Sequence, residues 1–305
     1  MNKAKTALVT GGAGFIGSHL TEFLLDQGIS VICLDNLSSG SLKNLDRRSE
    51  FVEGSITDLD LCNKLVKEVD YVFHLAAMSR SGPSEDQFAL CHSTNVVGTF
   101  NLLEACRFSS VEKFVYSASS TCYGNAAAPQ GLDSPIDLLN YYGWSKYSGE
   151  QLALMYAKSS KVPTISLRYF NVYGKGQPEV GEYALVLGIF LNQFAKDEPL
   201  EIHGGGNQKR DFIHVDDVVR CNLLAAQSSL VGFAYNVGQG ENLSIKALAD
   251  LISDKQIIKP RRASDAFETL ASIVRTTTDL GWSPSGDLMS SLNNFIIEYK
   301  STYGK

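Results

Sequence analysis

Two short stretches carry residue types that could do chemistry. Residues 116–124 read YSASSTCYG, where Ser119, Ser120 and Thr121 place hydroxyls side by side with no carboxylate among them. Residues 141–146 read YYGWSK, in which Tyr142 and Lys146 stand at i and i+4. On a helix those positions share one face, so the ammonium lies one turn from the phenol. A phenol of pKa ~10 is a poor base at neutral pH, and a neighbouring cation lowers that value. The pair suits proton transfer at a substrate hydroxyl. The hydroxyl run alone could be a polar strand end or the floor of the same site.

A third stretch supplies a binding function. TGGAGFIGSH (10–19) sets Gly11, Gly14 and Gly17 three apart, after the apolar run TALVT and before a helical pattern. Glycine is required where the turn is tight, where backbone must approach a pyrophosphate, and where helix and strand pack closely. Freed N–H groups at the helix start then meet the phosphate charge. Asp35 ends the next apolar run, SVICLD, roughly 20 residues on, where an acid for the ribose belongs. Asp35 would repel a 2′-phosphate and no Arg stands beside it, so NAD is expected rather than NADP.

The elements that must hold these groups follow from periodicity. Strands are predicted over TALVT (6–10), SVICLD (30–35), DYVFHLAA (70–77), KFVYSAS (113–119) and PTISLRYF (163–170). Helices fall between them, one with Ile16, Leu20, Phe23 and Leu24 on one face, others over 58–68, 85–107 and 141–159. Strict alternation with continuously apolar strands predicts an α/β doubly wound parallel sheet, helices on both faces. Beyond Phe170 the pattern changes. Residues 171–182 and 203–209 read as loops around a helix at 183–196, 212–227 as a strand end feeding a helix, and 233–238 as one more strand. The expected division is a dinucleotide-binding domain over 1–170 plus 211–237, and a smaller, mostly C-terminal α/β substrate domain over 171–210 plus 238–305.

Composition narrows the class. The 305 residues are enough for one large domain or two unequal ones. A net charge of −6 with dispersed basic residues argues against a nucleic-acid partner. No apolar run approaches the roughly 18 residues of a membrane span, and the N-terminus turns glycine-rich before a secretory core could form. The six cysteines are scattered without a CxxC pair, as expected of reduced thiols in a cytoplasmic protein. No His pairs with another His or Cys at metal-ligand spacing, so no metal is expected.

Taken in order, TGGAGFIGSH, LDN, HLAA, TNVVGT, YSASSTCYG, YYGWSK, RYFNVYG and KRDFIHVDD resemble the extended short-chain dehydrogenase/reductases, the NAD-dependent epimerases and dehydratases of nucleotide sugars. The resemblance runs over almost the whole chain. It implies a catalytic trio of Ser119, Tyr142 and Lys146, with the Ser119 hydroxyl on the reacting sugar oxygen, Tyr142 and Lys146 also on the cofactor, and Lys146 holding the nicotinamide ribose. It implies that Phe15 and Ile16 present backbone to the pyrophosphate, that Asp35 and Asn36 hold the adenosine ribose, and that Ile56 lies by the adenine. Leu75, Ala76, Ala77, Asn95 and Ser117 would line the cofactor, with Tyr169 near the nicotinamide. For the nucleotide-diphosphate sugar, Asn171 would touch the diphosphate, Arg210 and Arg262 would clamp it, and His203 would flank the base. Guanidinium geometry suits that clamp. Arg80 would reach the same pocket. The helices at 85–107 and 141–159 resemble those of a family homodimer interface.

Within that family the hydroxyl run becomes informative. Dehydratases carry an acidic pair at the positions of Ser120 and Thr121, decarboxylases a Glu at the latter, and fucose-nucleotide epimerase-reductases a Cys there. A site with hydroxyls and no second acid can still oxidise an alcohol and reverse the step, which is all a 4-epimerase requires. Thr269 falls where bulk gates the C2 substituent, and its small side chain would leave room for an N-acetyl group, so UDP-hexoses and UDP-N-acetylhexosamines are both expected. Departures from the pattern are Ser55 in place of an adenine-binding Asp, Ser264 in place of Gly, and His203 in place of an aromatic residue. The alternatives are a 2-epimerase, decarboxylase, dehydratase or keto-sugar reductase of the same family, or a non-catalytic NAD-binding module.

Overall fold

The structure is a computed structural model that describes residues 4–79, 81–160, 162–260 and 266–303. Strands β1 (Thr6–Thr10), β2 (Ser30–Asp35), β3 (Glu50–Glu53), β4 (Tyr71–His74), β5 (Lys113–Ser119) and β6 (Thr164–Tyr169) are joined through helices α1 (Phe15–Asp26), α2 (Leu59–Leu65), α3 (Ser81–Asp86), α4 (Phe88–His92), α5 (Gly98–Arg107) and α6 (Tyr141–Ser159). The chain continues through β7 (Asn171–Tyr173), α7 (Val186–Ala195), β8 (Leu200–His203), β9 (Lys209–Arg210), β10 (Phe212–His214), α8 (Val215–Gln227) and β11 (Phe233–Val237). It ends in β12 (Leu243–Ser244), α9 (Ile245–Ile252), β13 (Gln256–Lys259), α10 (Val274–Leu280) and α11 (Leu288–Tyr303).

Seven strands form one sheet in the order β11-β6-β5-β4-β1-β2-β3, every neighbouring pair parallel. This is the doubly wound order, with the order of strand addition reversing between β1 and β4, where ligands bind outside the carboxyl ends. Strands β1 to β5 each feed both faces, whereas β6 and β11 give apolar side chains to one. Ala7 and Val9 of β1 pack with Leu20 and Leu24 of α1 and with Val218 of α8, whereas Leu8 packs with Leu65, Leu102 and Ala153 on the other side. A separate core joins α7, α9 and α11 to β8 and β10, through Leu187, Phe190, Ile202, Phe212, Leu248 and Leu292. Pairs β10-β7, β12-β9 and β13-β8 are small satellite sheets.

The structure corrects the sequence reading in three places. The helix expected over 85–107 is broken into α3, α4 and α5: Gln87 takes non-helical dihedrals, and Ser93–Val97 is π-helical. The π stretch turns Asn95 inward, where it is bonded to both backbone groups of Met78. Residues 171–173 are not loop but β7, because Asn171 and Val172 find backbone partners in β10. Likewise the loop expected over 203–209 contains the end of β8 and the start of β9, two strands too short for periodicity to reveal. Of 211–237, only β11 joins the main sheet. Among the described residues no helix is long and apolar enough to cross a membrane. All six cysteines are buried and none forms a disulfide.

Candidate active site

The carboxyl ends of β1, β2, β4 and β5 meet in one crevice, and the glycine turn forms its floor. Gly11 has φ +72° and its backbone passes so close to the β4 end that a Cβ there would lie 2.8 Å from the Ala76 nitrogen. A Cβ at Gly17 would run into the Gly11 carbonyl, so the third glycine is what lets α1 start against the turn. Gly14 caps α1 without a side-chain acceptor, and the amides of Phe15 and Ile16 begin the helix. Asp35 is buried at the end of β2 and accepts from Ala13 N at 3.0 Å and Leu37 N at 2.8 Å, one bond on each oxygen. Each oxygen keeps a lone pair for a further hydroxyl. Asn36, beside it, is exposed and bonded by Ser38. Ser55 bonds Thr57, and Ile56 is buried against Gly98.

A buried chain of polar side chains ties this crevice to α6. Thr99 Oγ1 donates to the Asn95 carbonyl at 2.6 Å, so it must accept from His74 Nε2 at 2.9 Å. His74 Nδ1 is then the acceptor for Thr10 Oγ1 at 2.8 Å, which itself accepts from Ala76 N. Burial holds His74 well below the usual imidazole range, so this neutral tautomer persists. Asn95 Nδ2 donates to Ser145 Oγ, and Ser145 Oγ donates to the Tyr142 carbonyl. Ser117 Oγ lies 3.0 Å from the Tyr169 phenol, which donates to Asn222.

Tyr142 sits in the first turn of α6, whose N-cap Asn140 accepts from Gly143 N at 2.9 Å. One turn on, Lys146 is only 4% exposed. Burial drives its ammonium down from 10.5 to about 7, against smaller opposing contributions from Cys91 and Glu150. A lysine whose folded pKa is depressed weakens the fold as pH falls from its unfolded pKa toward 7, because the charged form must then be buried. Lys146→Met is therefore expected to abolish turnover yet raise stability by on the order of 3 kcal/mol at pH 7. The gain should shrink toward pH 10. Urea unfolding at the two pH values checks it, and an unchanged or lower midpoint at pH 7 would contradict the assignment.

Ser119 ends β5 and its Oγ accepts from Thr121 Oγ1 at 2.9 Å and Thr121 N at 3.3 Å. The turn over Ser120–Tyr123 brings Ser120 and Thr121, rather than Ser119, to the wall of a cavity of about 250 Å³. Tyr142, Asn171, His203, Arg210 and Thr269 line the same cavity, from five separate parts of the chain. Lys146 and Ser119 are not among its lining residues. Asn171 Nδ2 donates to the Asp211 carbonyl and reaches Thr269 Oγ1 at 3.4 Å. His203 bonds the Pro260 carbonyl through Nδ1 at 3.0 Å. Arg210 is half-buried and donates to the carbonyls of Lys209 and Phe267. Among the described residues Glu201 is the one carboxylate on the cavity, and it pairs with Lys259 at 3.3 Å. Arg80 and Arg262 lie outside the described residues, as does Ser264.

Sequence reasoning missed Asn140 and Gln208, which also line the cavity. Asn140 had a signal, an Asn immediately before a helical pattern, which marks an N-cap. Gln208 had none, since its place on the wall depends on its bond to the His203 carbonyl.

Comparison with known proteins places the chain. The model of the family described as "NAD dependent epimerase/dehydratase" matches residues 7–238. The chain belongs to the NAD-dependent epimerase/dehydratase family. It is 36% identical to a putative UDP-glucose 4-epimerase of Methanocaldococcus jannaschii, over 95% of this chain and 96% of that relative. A CDP-paratose 2-epimerase of Salmonella typhi is 32% identical over 91% of this chain and 94% of its own. Among solved structures, a UDP-glucose 4-epimerase of Thermotoga maritima with UDP-glucose superposes at a TM-score of 0.92, with 34% identity, 97% of this chain and 99% of that one covered. A UDP-N-acetylglucosamine 4-epimerase of Methanobrevibacter ruminantium, in complex with UDP-N-acetylmuramic acid, gives 0.92 and 31% over 98% and 99%. The protein is thus an NAD-dependent enzyme of the nucleotide-sugar epimerase family.

The crevice fits the family's cofactor. Its turn has no room for a Cβ at Gly11, its helix start is uncapped, and its acid stands where a ribose diol would be read. No arginine adjoins Asp35 in sequence to accept a 2′-phosphate.

Proposed function

We propose that this family member is a nucleotide-sugar 4-epimerase that accepts UDP-hexoses and UDP-N-acetylhexosamines. The observation that carries this reading is the make-up of the cavity wall: Tyr142 beside Ser120 and Thr121, with the sole carboxylate among the described residues engaged by Lys259. Elimination of water or loss of carbon dioxide calls for an acid beside the catalytic hydroxyls, and none stands there. Reversible oxidation of one alcohol needs a single proton carrier.

When bound, NAD supplies the reversible hydride acceptor for the sugar carbon. Tyr142 Oη takes the proton of the C4 hydroxyl and later returns it. Lys146 supplies positive charge one helical turn away, which favours the phenolate. The hydroxyl pair of Ser119 and Thr121 orients the reacting oxygen, Ser119 accepting from Thr121 and so free to donate its own proton. Asn171 and Arg210 hold the diphosphate end, and His203 flanks the base. Phe15, Ile16, Asp35, Asn36, Ile56, Leu75, Ala76, Ala77, Asn95, Ser117 and Tyr169 form the cofactor side.

Thr269 sets the room beside C2. Purified protein given UDP-GlcNAc and UDP-glucose in parallel is expected to epimerise both, and Thr269→Tyr to lose the N-acetyl substrate by roughly 10–200-fold while sparing the plain hexose. Turnover of UDP-glucose alone by the wild type would remove the Thr269 argument. A panel of UDP-, GDP-, CDP- and dTDP-sugars reads out the reaction itself: conversion at C2, or steady consumption of added NADH, would overturn the 4-epimerase reading.

We infer further that two copies associate through α4, α5 and α6. Phe88, Leu90, Phe100, Trp144 and Met155 are all exposed on these helices, and exposed large apolar side chains gathered on neighbouring helices suit a partner surface. Sedimentation equilibrium at micromolar concentration should give a dimer, and a Phe100→Glu, Met155→Glu double variant a monomer. A monomeric wild type would refute this.

A further inference from the structure

Tyr116 belongs to neither the expected catalytic trio nor the cofactor side, yet it touches the most heavily buried cation of the site. We propose that Tyr116 is a positioning residue: the face of its ring seats the Lys146 ammonium and fixes where that charge stands relative to the Tyr142 phenol. The proposal deepens the function argued above and rests on it only for its kinetic arm.

Four observations carry it. Lys146 Nζ stands over the Tyr116 ring, 4.4 Å from its centroid, inside the range of a cation–π contact. Tyr116 is 0% exposed and Lys146 4%, so water screens the contact very little. Among the described residues no acceptor or carboxylate bonds Nζ, and the ring is a favourable contact that this chain itself gives it. The ring is itself clamped: Tyr116 Oη donates to the Lys146 carbonyl at 3.1 Å, and the His74 ring packs on it at 5.6 Å. Gly149 makes the arrangement possible. It follows Lys146 by three residues on the same helix face, and a Cβ there would strike Tyr116 Oη. The strand residue, the lysine and the glycine thus form one seat.

The groups that face the ammonium are His74 from β4, Cys91 from α4, Tyr116 from β5, and Glu150 from α6 itself, with Tyr142 one helical turn earlier on α6. His74 is neutral and the Cys91 thiol is pushed up by burial, so neither supplies negative charge at neutral pH. Glu150 is spent on Arg168 through both carboxylate oxygens. Beside that smaller, already paired charge of Glu150, the negative face of the ring is the direct contact that offsets the burial of the cation.

The test keeps ring size and removes ring charge. Tyr116→Phe and a variant carrying 3,4,5-trifluorophenylalanine at position 116 are compared with wild type. The fluorinated ring has nearly the shape of phenylalanine but an electron-poor face. The first arm needs no substrate: 13Cε-lysine NMR, with the Lys146 signal assigned by its loss in Lys146→Met, follows the ammonium through its titration. Tyr116→Phe should leave the midpoint near that of wild type, whereas the fluorinated ring should lower it by about one pH unit. The second arm is kinetic. The fluorinated variant should lose roughly 10–30-fold in kcat with KM unchanged, and its acid limb should move to higher pH, because a less charged Lys146 leaves the Tyr142 phenol weaker as an acid. Equal Lys146 titrations in the two variants would overturn the proposal, and so would a fluorinated enzyme that keeps wild-type kcat and pH profile. Should wild type turn over no nucleotide sugar, the function would fail while the titration still decided the seat.

Discussion

Tyr142→Phe is expected to lower kcat for UDP-glucose by roughly 10²–10⁴-fold, the range for loss of a positioned proton carrier. The substitution removes one oxygen and leaves the ring on the cavity wall that Asn140 and Asn171 also line. The helix is held by other groups: it is capped by Asn140, tied to Asn95 through Ser145, and anchored at Glu150. The KM should therefore move little, the pattern of an interaction made in the transition state alone. Thermal unfolding should also stay near that of wild type. Steady-state rates at saturating substrate check the first point and a melting curve the second. A variant within about threefold of wild-type kcat would exclude Tyr142 as the proton carrier.

The second large effect is on stability. Arg168 in β6 sends Nε and Nη2 to the two oxygens of Glu150 in α6, at 2.8 and 2.6 Å, and Nη1 to the Tyr123 phenol at 2.7 Å. Tyr123 donates in turn to Asn236 in β11, and Asn236 holds the carbonyls of Gln130 and Ser272. Side chains of Arg168 and Glu150 are 6% and 1% exposed. Arg168→Leu strands a buried carboxylate, and removing one partner of such a pair costs about 3–5 kcal/mol. Arg168→Leu combined with Glu150→Leu should recover much of that loss, because the desolvated charge goes with its partner. Urea unfolding of the two singles and the double closes the cycle. The turn carrying Ser120 and Thr121 ends at Tyr123, so Arg168→Leu should also slow turnover in whatever fraction stays folded. A single variant costing under about 1 kcal/mol would show that the pair is not what locks this turn to α6.

How much of this was legible before folding depends on the range of the forces involved. The parallel strands were, because Leu8, Val9, Ile32, Cys33, Phe114 and Val115 must be apolar on both faces of a covered sheet. The glycine turn was legible too: Gly11 and Gly17 occupy positions where a Cβ collides with backbone, so their identity carries the geometry. What periodicity could not show were features set by partners far along the chain. The π stretch at Asn95 answers to Met78 and Ser145. The strand at Asn171 exists because β10 lies beside it. Arg168 reads as a charge interrupting a strand until Glu150 appears opposite. The same holds for the site. Tyr142 and Lys146 are neighbours by helix geometry alone, but the cavity that Tyr142 shares with Asn171, His203, Arg210 and Thr269 required the chain to fold first. The placement of Ser119 behind Thr121 also escaped the sequence, since the turn after β5 decides which hydroxyl meets the cavity.

The measurement that bears most directly on the mechanism uses solvent isotope. Purified enzyme is incubated with UDP-glucose in D2O until substrate and epimer equilibrate, and NMR reads the hydrogen at C4 of both. Oxidation and reduction at one carbon within a closed site predicts inverted C4 with its original hydrogen retained and deuterium absent from carbon. Deuterium at C4 would mean that a proton is pulled from carbon and replaced from solvent, and alcohol oxidation through Tyr142 would be the wrong chemistry.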